Sequence, residues 1–176
     1  AYPIMSRYCD FLLRHVSPDG LVRFGMLGDW NAYKYDSTPE TRDLIAPRTP
    51  VPQVSAFYGI LCLSYAADVA AELGHNSDAK RYRERAASMK QAYYTAFYRN
   101  ESGTYSPDAP GGNCSQTSNV LPVVLGIVRP AEKLRILAAL NHSLYCYRGP
   151  TPEPALMAGC AGTRYLFEAL VALGRE

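Results

Sequence analysis

The sequence predicts an all-α chain built from paired helices. Three observations carry this. Apolar residues recur at helical spacing through most of the chain. Two long periodic stretches are separated by only a few residues around Gly74, which makes them an antiparallel αα-hairpin. Strand signals are weak, and a short hairpin between Tyr98 and Tyr105 is the one candidate.

The elements follow in chain order. A first helix is expected from Pro3 to Val16, with Pro3 suited to the first helical position. Its apolar face is Met5, Tyr8, Cys9, Leu12, Leu13 and Val16, and Ser17-Pro18-Asp19-Gly20 ends it in a turn. Leu21 to Pro52 shows no sustained period and contains Phe24-Gly25-Met26-Leu27-Gly28-Asp29-Trp30-Asn31. A loop of that length in a compact domain is usually functional. A second helix is expected from Gln53 to Leu73, with Val54, Phe57, Tyr58, Leu61, Tyr65, Val69 and Leu73 inward and Gly74 as its stop. Ser77 is expected to cap a third helix from Asp78 to Phe97, with Ala79, Tyr82, Ala86, Met89, Tyr93 and Phe97 inward. The stretch from Arg99 to Gly112 reads as loop. Ser115-Gln116-Thr117-Ser118 opens a fourth helix through Val120, Leu121, Val124 and Leu125, with Pro122 placed near its first turn. Pro130 opens a fifth helix, with Leu134, Leu137 and Leu140 on one face. The last helix is expected from Arg164 to Leu173, with Tyr165, Leu166, Ala169, Leu170 and Leu173 inward.

Composition excludes several classes. At 176 residues, 48% hydrophobic and 19% charged, the chain can bury a real core. A net charge of +2 with interspersed signs leaves no basic stripe, so no nucleic-acid partner is expected. No apolar run reaches the roughly 18 residues of a membrane span, so no membrane partner is expected either. His15, His75 and His142 share no ligand spacing and read as surface residues; no metal and no cofactor are implied. Five cysteines without a CxxC pair, together with sequons at Asn100, Asn113 and Asn141, favour a secreted glycoprotein. The alternative for Cys9 and Cys62 is that they are small core residues. The opening Ala1-Tyr2-Pro3 already reads as the start of a helix, and the chain is expected to be a segment of a longer one.

Four stretches, in order, resemble the (α/α)6-barrel catalytic domain of α-L-rhamnosidases. Phe24-Gly25-Met26-Leu27-Gly28-Asp29-Trp30 resembles that family's Gly-Asp-Trp loop, preceded by a helix whose Phe11-Leu12 fits the pattern. Val54-Ser55-Ala56-Phe57-Tyr58, Glu72-Leu73-Gly74, Ser77-Asp78-Ala79 and Tyr82 resemble its long helical hairpin. Ser115-Gln116-Thr117, then Leu121-Pro122-Val123-Val124-Leu125-Gly126 and Val128-Arg129-Pro130, resemble the next helix and its exit. Gly159-Cys160-Ala161-Gly162-Thr163-Arg164-Tyr165-Leu166 resembles a Gly-Thr-x-Tyr-Leu segment. The resemblance covers nearly the whole chain, residues 1–176. It implies one segment, about half, of a six-hairpin barrel, completed by the remainder of its own chain. It further implies hydrolysis of terminal α-L-rhamnose with inversion, and a rhamnose-containing glycan or glycoside as partner. Inversion needs a carboxylic acid and a carboxylate roughly 6.5–9.5 Å apart. By the resemblance the acid lies upstream of the Gly-Asp-Trp loop and the base downstream of the Gly-Thr-x-Tyr-Leu segment. Neither stretch is within this chain, so no catalytic residue is assigned in it.

The candidate substrate-binding residues are Asp29, Trp30, Asn31 and Gln116. Trp30 is the single tryptophan and offers an aromatic face for a sugar, while Asp29 could accept from its hydroxyls. The alternative makes Trp30 a plug for the helical core and Asp29 a turn cap, with Gln116 and Thr117 merely capping the fourth helix. Glu153 and Glu168 read as solvated. A non-catalytic carbohydrate-binding or structural module of an extracellular assembly is the alternative to the enzyme.

Overall fold

The computed structural model describes residues 1–25, 28–29, 49–105, 115–145 and 154–174. Among these residues six α-helices run in the order α1 (Tyr2–Arg14), α2 (Val51–Glu72), α3 (Asn76–Phe97), α4 (Gln116–Val124), α5 (Lys133–Ser143) and α6 (Cys160–Ala172). A 3-10 turn, Pro130–Glu132, leads into α5. Strand pairing among the described residues is limited to two isolated bridges, Val16 with Val22 and Arg99 with Thr104. The second lies inside the hairpin expected between Tyr98 and Tyr105.

The α2–α3 pair is the antiparallel hairpin that the short link demanded. Gly74 turns it with φ +78°, a left-handed conformation that costs a glycine nothing. Ser77, expected to cap α3, lies instead inside its first turn. Gly74 redirects the chain so tightly that α3 restarts at Asn76, and His75 flanks it with its ring stacked on Tyr2 at 4.2 Å. The expected inner face of α3 is buried at every position: Ala79, Tyr82, Ala86, Met89, Tyr93 and Phe97.

The face of α2 is only partly the expected one, with Val54 and Phe57 buried as expected. Tyr58, Tyr65 and Leu73 are exposed, while Ala56, Phe57, Gly59, Ile60, Leu63, Ala66, Ala67 and Ala70 are buried beside Gln53 and Val54. A helix that is apolar nearly all round has no periodic signal to choose its inner face. Close approach at small residues chooses it instead: a Cβ added to Gly59 would sit 3.1 Å from the Val22 side chain. By length and composition α2, at 22 residues, is long and apolar enough to cross a membrane, which differs from the expectation that no stretch of the chain is. Here it packs as a core helix, with Phe57 edge-on to Tyr165 of α6 at 5.1 Å between ring centroids.

Smaller differences have local causes. Tyr8 of α1 is half exposed, whereas Cys9 and Leu12 are buried. The α5 face is set by Glu132, which is buried and accepts from Tyr94 Oη at 2.8 Å and from Arg129 N at 2.9 Å. Ile136, one turn on, therefore points inward with Leu140, and Leu134 is exposed. The last helix, α6, starts a full turn earlier than Arg164, at Cys160.

Pro122 sits in the interior of α4 rather than in its first turn. Proline has no N–H for the carbonyl four residues back, here Ser118 O. That oxygen accepts from Gln53 Nε2 at 3.1 Å, so a side chain on α2 replaces the missing helical bond.

Candidate functional site

The N-terminal ends of α4 and α6 meet at Asp29. Its carboxylate is buried, at 9% exposure. Oδ2 accepts from the Thr117 hydroxyl on α4 and from Gly159 N at 2.9 Å. Oδ1 accepts from Ala161 N at 3.1 Å and Gly162 N at 3.4 Å. The first N–H groups of a helix have no intrahelical acceptor, and the helix dipole places positive charge there. Gly159, the residue flanking α6, has no side chain to cap it. Asp29, about 130 residues away in sequence, supplies the cap in its place, and its four acceptor positions meet four donors.

Gln116 makes a second clamp. It is almost fully buried, its Oε1 accepting from Met157 N at 2.8 Å and Ala158 N at 3.0 Å. Its Nε2 donates to Ala155 O at 3.0 Å. Gln116 thus fixes the segment that leads into α6, while Thr117 fixes Asp29 against the α6 start.

The rest of the polar run bonds Thr49, Gln53 at the start of α2, and Tyr105. A hydroxyl chain passes from Thr49 to Ser115 at 2.9 Å, to Ser118 at 2.8 Å and to Gln53 Oε1 at 3.1 Å. Asn119 accepts from Tyr105 N at 3.0 Å and donates to Ser115 O at 3.1 Å. Each of the five consecutive polar residues Ser115 to Asn119 is buried and bonded to a partner. Packing is tight at the meeting point: a Cβ on Gly162 would overlap Thr117 Oγ1 and lie 2.8 Å from Ala158 Cβ.

A cleft of about 430 Å³ opens beside Asp29, between α1, α2 and the start of α6. Tyr8, Phe24, Ser55, Tyr58, Cys160 and Gly28 are among its walls. Burial raises the Tyr58 phenol above its ordinary pKa, assisted by the neighbouring Tyr165 and Asp29.

The candidate residues therefore fall into two groups. Asp29 and Gln116 come together at one end of the helices, with their polar atoms engaged by the protein. Trp30 and Asn31 lie outside the described residues, as do Asn113 and Glu153. Asn100 is exposed in the turn closed by the Arg99–Thr104 bridge. Asn141 is exposed in the last turn of α5, where the Ser143 of its sequon is fully buried and donates to Leu140 O at 2.6 Å. The buried carboxylates among the described residues are Asp29 and Glu132, and Glu168 is exposed. Sequence reasoning missed Thr49 and Gln53. The polar density of the 115–119 run was the available signal that buried partners were needed.

Helical hairpins whose inner helices begin around one buried polar cluster define a protein of the αα-hairpin barrel class. A family described as the bacterial alpha-L-rhamnosidase six-hairpin glycosidase domain matches residues 1–176, and the chain belongs to it. The solved alpha-L-rhamnosidase of Dictyoglumus thermophilum is similar at 24% identity and TM-score 0.71, over 98% of this chain and 18% of that one. The Streptomyces avermitilis alpha-L-rhamnosidase complexed with L-rhamnose is similar at 21% identity and TM-score 0.69, over 98% of this chain and 14% of that one. The rhamnosidase of Bacillus sp. GL1 follows at 16% identity and TM-score 0.65, over 99% and 17%. At these identities the likeness is one of fold, and the chain spans less than a fifth of each structure. No curated protein matches the sequence.

Proposed function

We propose that this chain forms part of the sugar pocket of a glycosidase that removes terminal α-L-rhamnose with inversion. Family membership over all 176 residues carries the proposal. The pocket end is where α4 and α6 begin, gathered by Asp29 and Gln116. Trp30, joined directly to the anchored Asp29, stacks on the apolar face of the sugar, and Asn31 hydrogen-bonds its hydroxyls. The acid and base come from parts of the polypeptide outside these residues.

The same polypeptide completes the barrel. On α1, Ile4, Tyr8 and Phe11 form an exposed stripe at helical spacing, continued on α2 by Tyr58 and Tyr65. Such a patch on a helical domain marks a packing surface, and the adjoining hairpin of the barrel fits it. Secretion, with glycans on Asn100, Asn113 and Asn141, is part of the same proposal and rests on the sequons. An intact mass of the natural protein without glycan removes it.

The full-length protein is to be assayed on an aryl α-L-rhamnoside, with the product anomer followed by NMR. Release of β-L-rhamnose first, and a Trp30→Ala variant with KM raised about tenfold or more, support the proposal; loss of one stacked ring costs ~1 kcal/mol or more. No release, with rhamnose still bound by calorimetry, would favour the non-catalytic sugar-binding module instead.

A further inference from the structure

The Asp29 carboxylate is the only buried group that touches both α4 and α6 among the polar contacts just described. Its four donors come from one hydroxyl of α4 and three N–H groups at the α6 start. A carboxylate whose lone pairs are all engaged cannot also accept from a sugar hydroxyl without giving up a helix N–H. We propose that Asp29 is a positioning residue: it acts on the sugar only through the Thr117–Asp29–α6 clasp, which fixes the starts of α4 and α6 against each other at the pocket end. The inference rests on the proposed rhamnoside pocket and deepens it.

Three observations meet in this assignment. The contacts bridge sequence separations of 88 to 133 residues, so the clasp joins parts of the chain that no local structure holds together. Gly162 leaves room for Thr117 Oγ1 where any side chain would collide with it, so the hydroxyl reaches Asp29 only because residue 162 is glycine. Gln116, next to Thr117, pins residues 155–158 by three further hydrogen bonds, so the α6 start is held on both sides. A pocket wall displaced by an ångström loses much of its productive geometry. The clasp therefore controls substrate affinity although neither of its side chains contacts substrate.

The test uses the full-length protein and an aryl α-L-rhamnoside, with Thr117→Val, Thr117→Ser, Asp29→Asn and the Thr117→Val/Asp29→Asn double variant. KM, kcat and the melting temperature are read for each. Thr117→Val keeps the side-chain shape and the carboxylate but removes the hydroxyl. It is expected to raise KM at least fivefold, and Thr117→Ser is expected to restore KM to within twofold of wild type. Asp29→Asn is expected to raise KM by a similar or larger factor, and the double variant by no more than Asp29→Asn alone, since both break one unit. A raised KM for Asp29→Asn beside an unchanged KM for Thr117→Val would identify Asp29 as a direct sugar ligand and overturn the inference. Lowered melting temperatures with unchanged KM in both single variants would reduce the clasp to a stability element and also overturn it. A wild-type protein inert toward the rhamnoside overturns the proposed function and this inference with it, whereas an active wild type with an unaffected Thr117→Val protein overturns the inference alone.

Discussion

Gly162 and Cys9 show how single residues are constrained by neighbours far away in sequence. Gly162 is an ordinary helical residue by its backbone, and alanine would normally be the better helix former there. Its surroundings reverse that preference, because a Cβ would overlap Thr117 Oγ1. Gly162→Ala is expected to destabilise by ~1–3 kcal/mol, the range for overpacking a filled site, as a lowered urea midpoint at unchanged m-value. Cys9 is buried between α1 and α2, and burial pushes its thiol up to about 11, helped by nearby Cys62 and Asp10. The thiolate is the reactive form. Cys9 is therefore expected to resist iodoacetamide at pH 8 in the native protein and to react once unfolded, read by peptide mass mapping.

At the scale of elements, α4 is the hub and α1 is a latch. Every residue of α4 from Gln116 to Val123 is buried, so the helix is polar at its start, apolar at its end and enclosed throughout. Gln53 makes this possible by bonding Ser118 O, the carbonyl that Pro122 leaves without its helical donor, and Tyr105 O at 3.3 Å. Gln53→Leu would strand both carbonyls, while the Ser118 hydroxyl keeps Ser115 and Thr49, and is expected to cost ~2–4 kcal/mol by chemical denaturation, about twice the penalty of one buried unsatisfied group. The α1 helix is held to α3 by polar contacts: Tyr2 Oη donates to Asp78 at 2.6 Å, and Arg81 bridges Asp78 at 3.0 Å and Asp10 at 2.7 Å. The Tyr2 hydrogen bond, then that of Arg81, holds the Asp78 carboxyl below its ordinary value of 3.8. A depressed folded-state pKa means that the latch contributes fully above about pH 4 and is lost as pH falls through the lowered value. Tyr2→Phe is expected to lower stability at pH 7 while flattening its fall between pH 5 and pH 2, measured as melting temperature against pH.

For the whole molecule, the uncovered apolar surface is the informative feature. Ile4, Tyr8 and Phe11 on α1, Tyr58 and Tyr65 on α2, and Phe167 and Val171 on α6 are exposed. Side chains of this size gain roughly 1.5–3 kcal/mol each when buried. They are expected to be covered by neighbouring hairpins in the full-length protein. Expressed alone, the 176-residue chain should bind a hydrophobic dye more strongly than the full-length protein does. An Ile4→Glu/Phe167→Glu double variant should lower that binding in the isolated chain and destabilise the full-length protein. Equal dye binding by both forms would refute the covered-surface reading.

The sequence by itself determined the helical content, the α2–α3 hairpin, the whole inner face of α3 and the family. Each of these rests on local signals: a strong 3.6-residue period against charged residues, a glycine that admits positive φ, and short motifs read in order. It marked Asp29 and Gln116 as residues of one end of the fold, but not what their polar atoms do there. Tertiary structure alone decided the inner face of α2, where uniform apolarity erases the period and small residues choose the contacts. It alone decided that Pro122 could sit inside α4, because the compensating donor comes from another helix. It also decided that Asp29 caps α6. A hydrogen bond spanning more than a hundred residues leaves no periodic trace in a sequence, and its partners are recognisable only when folding brings a bare helix end and a buried carboxylate to the same place.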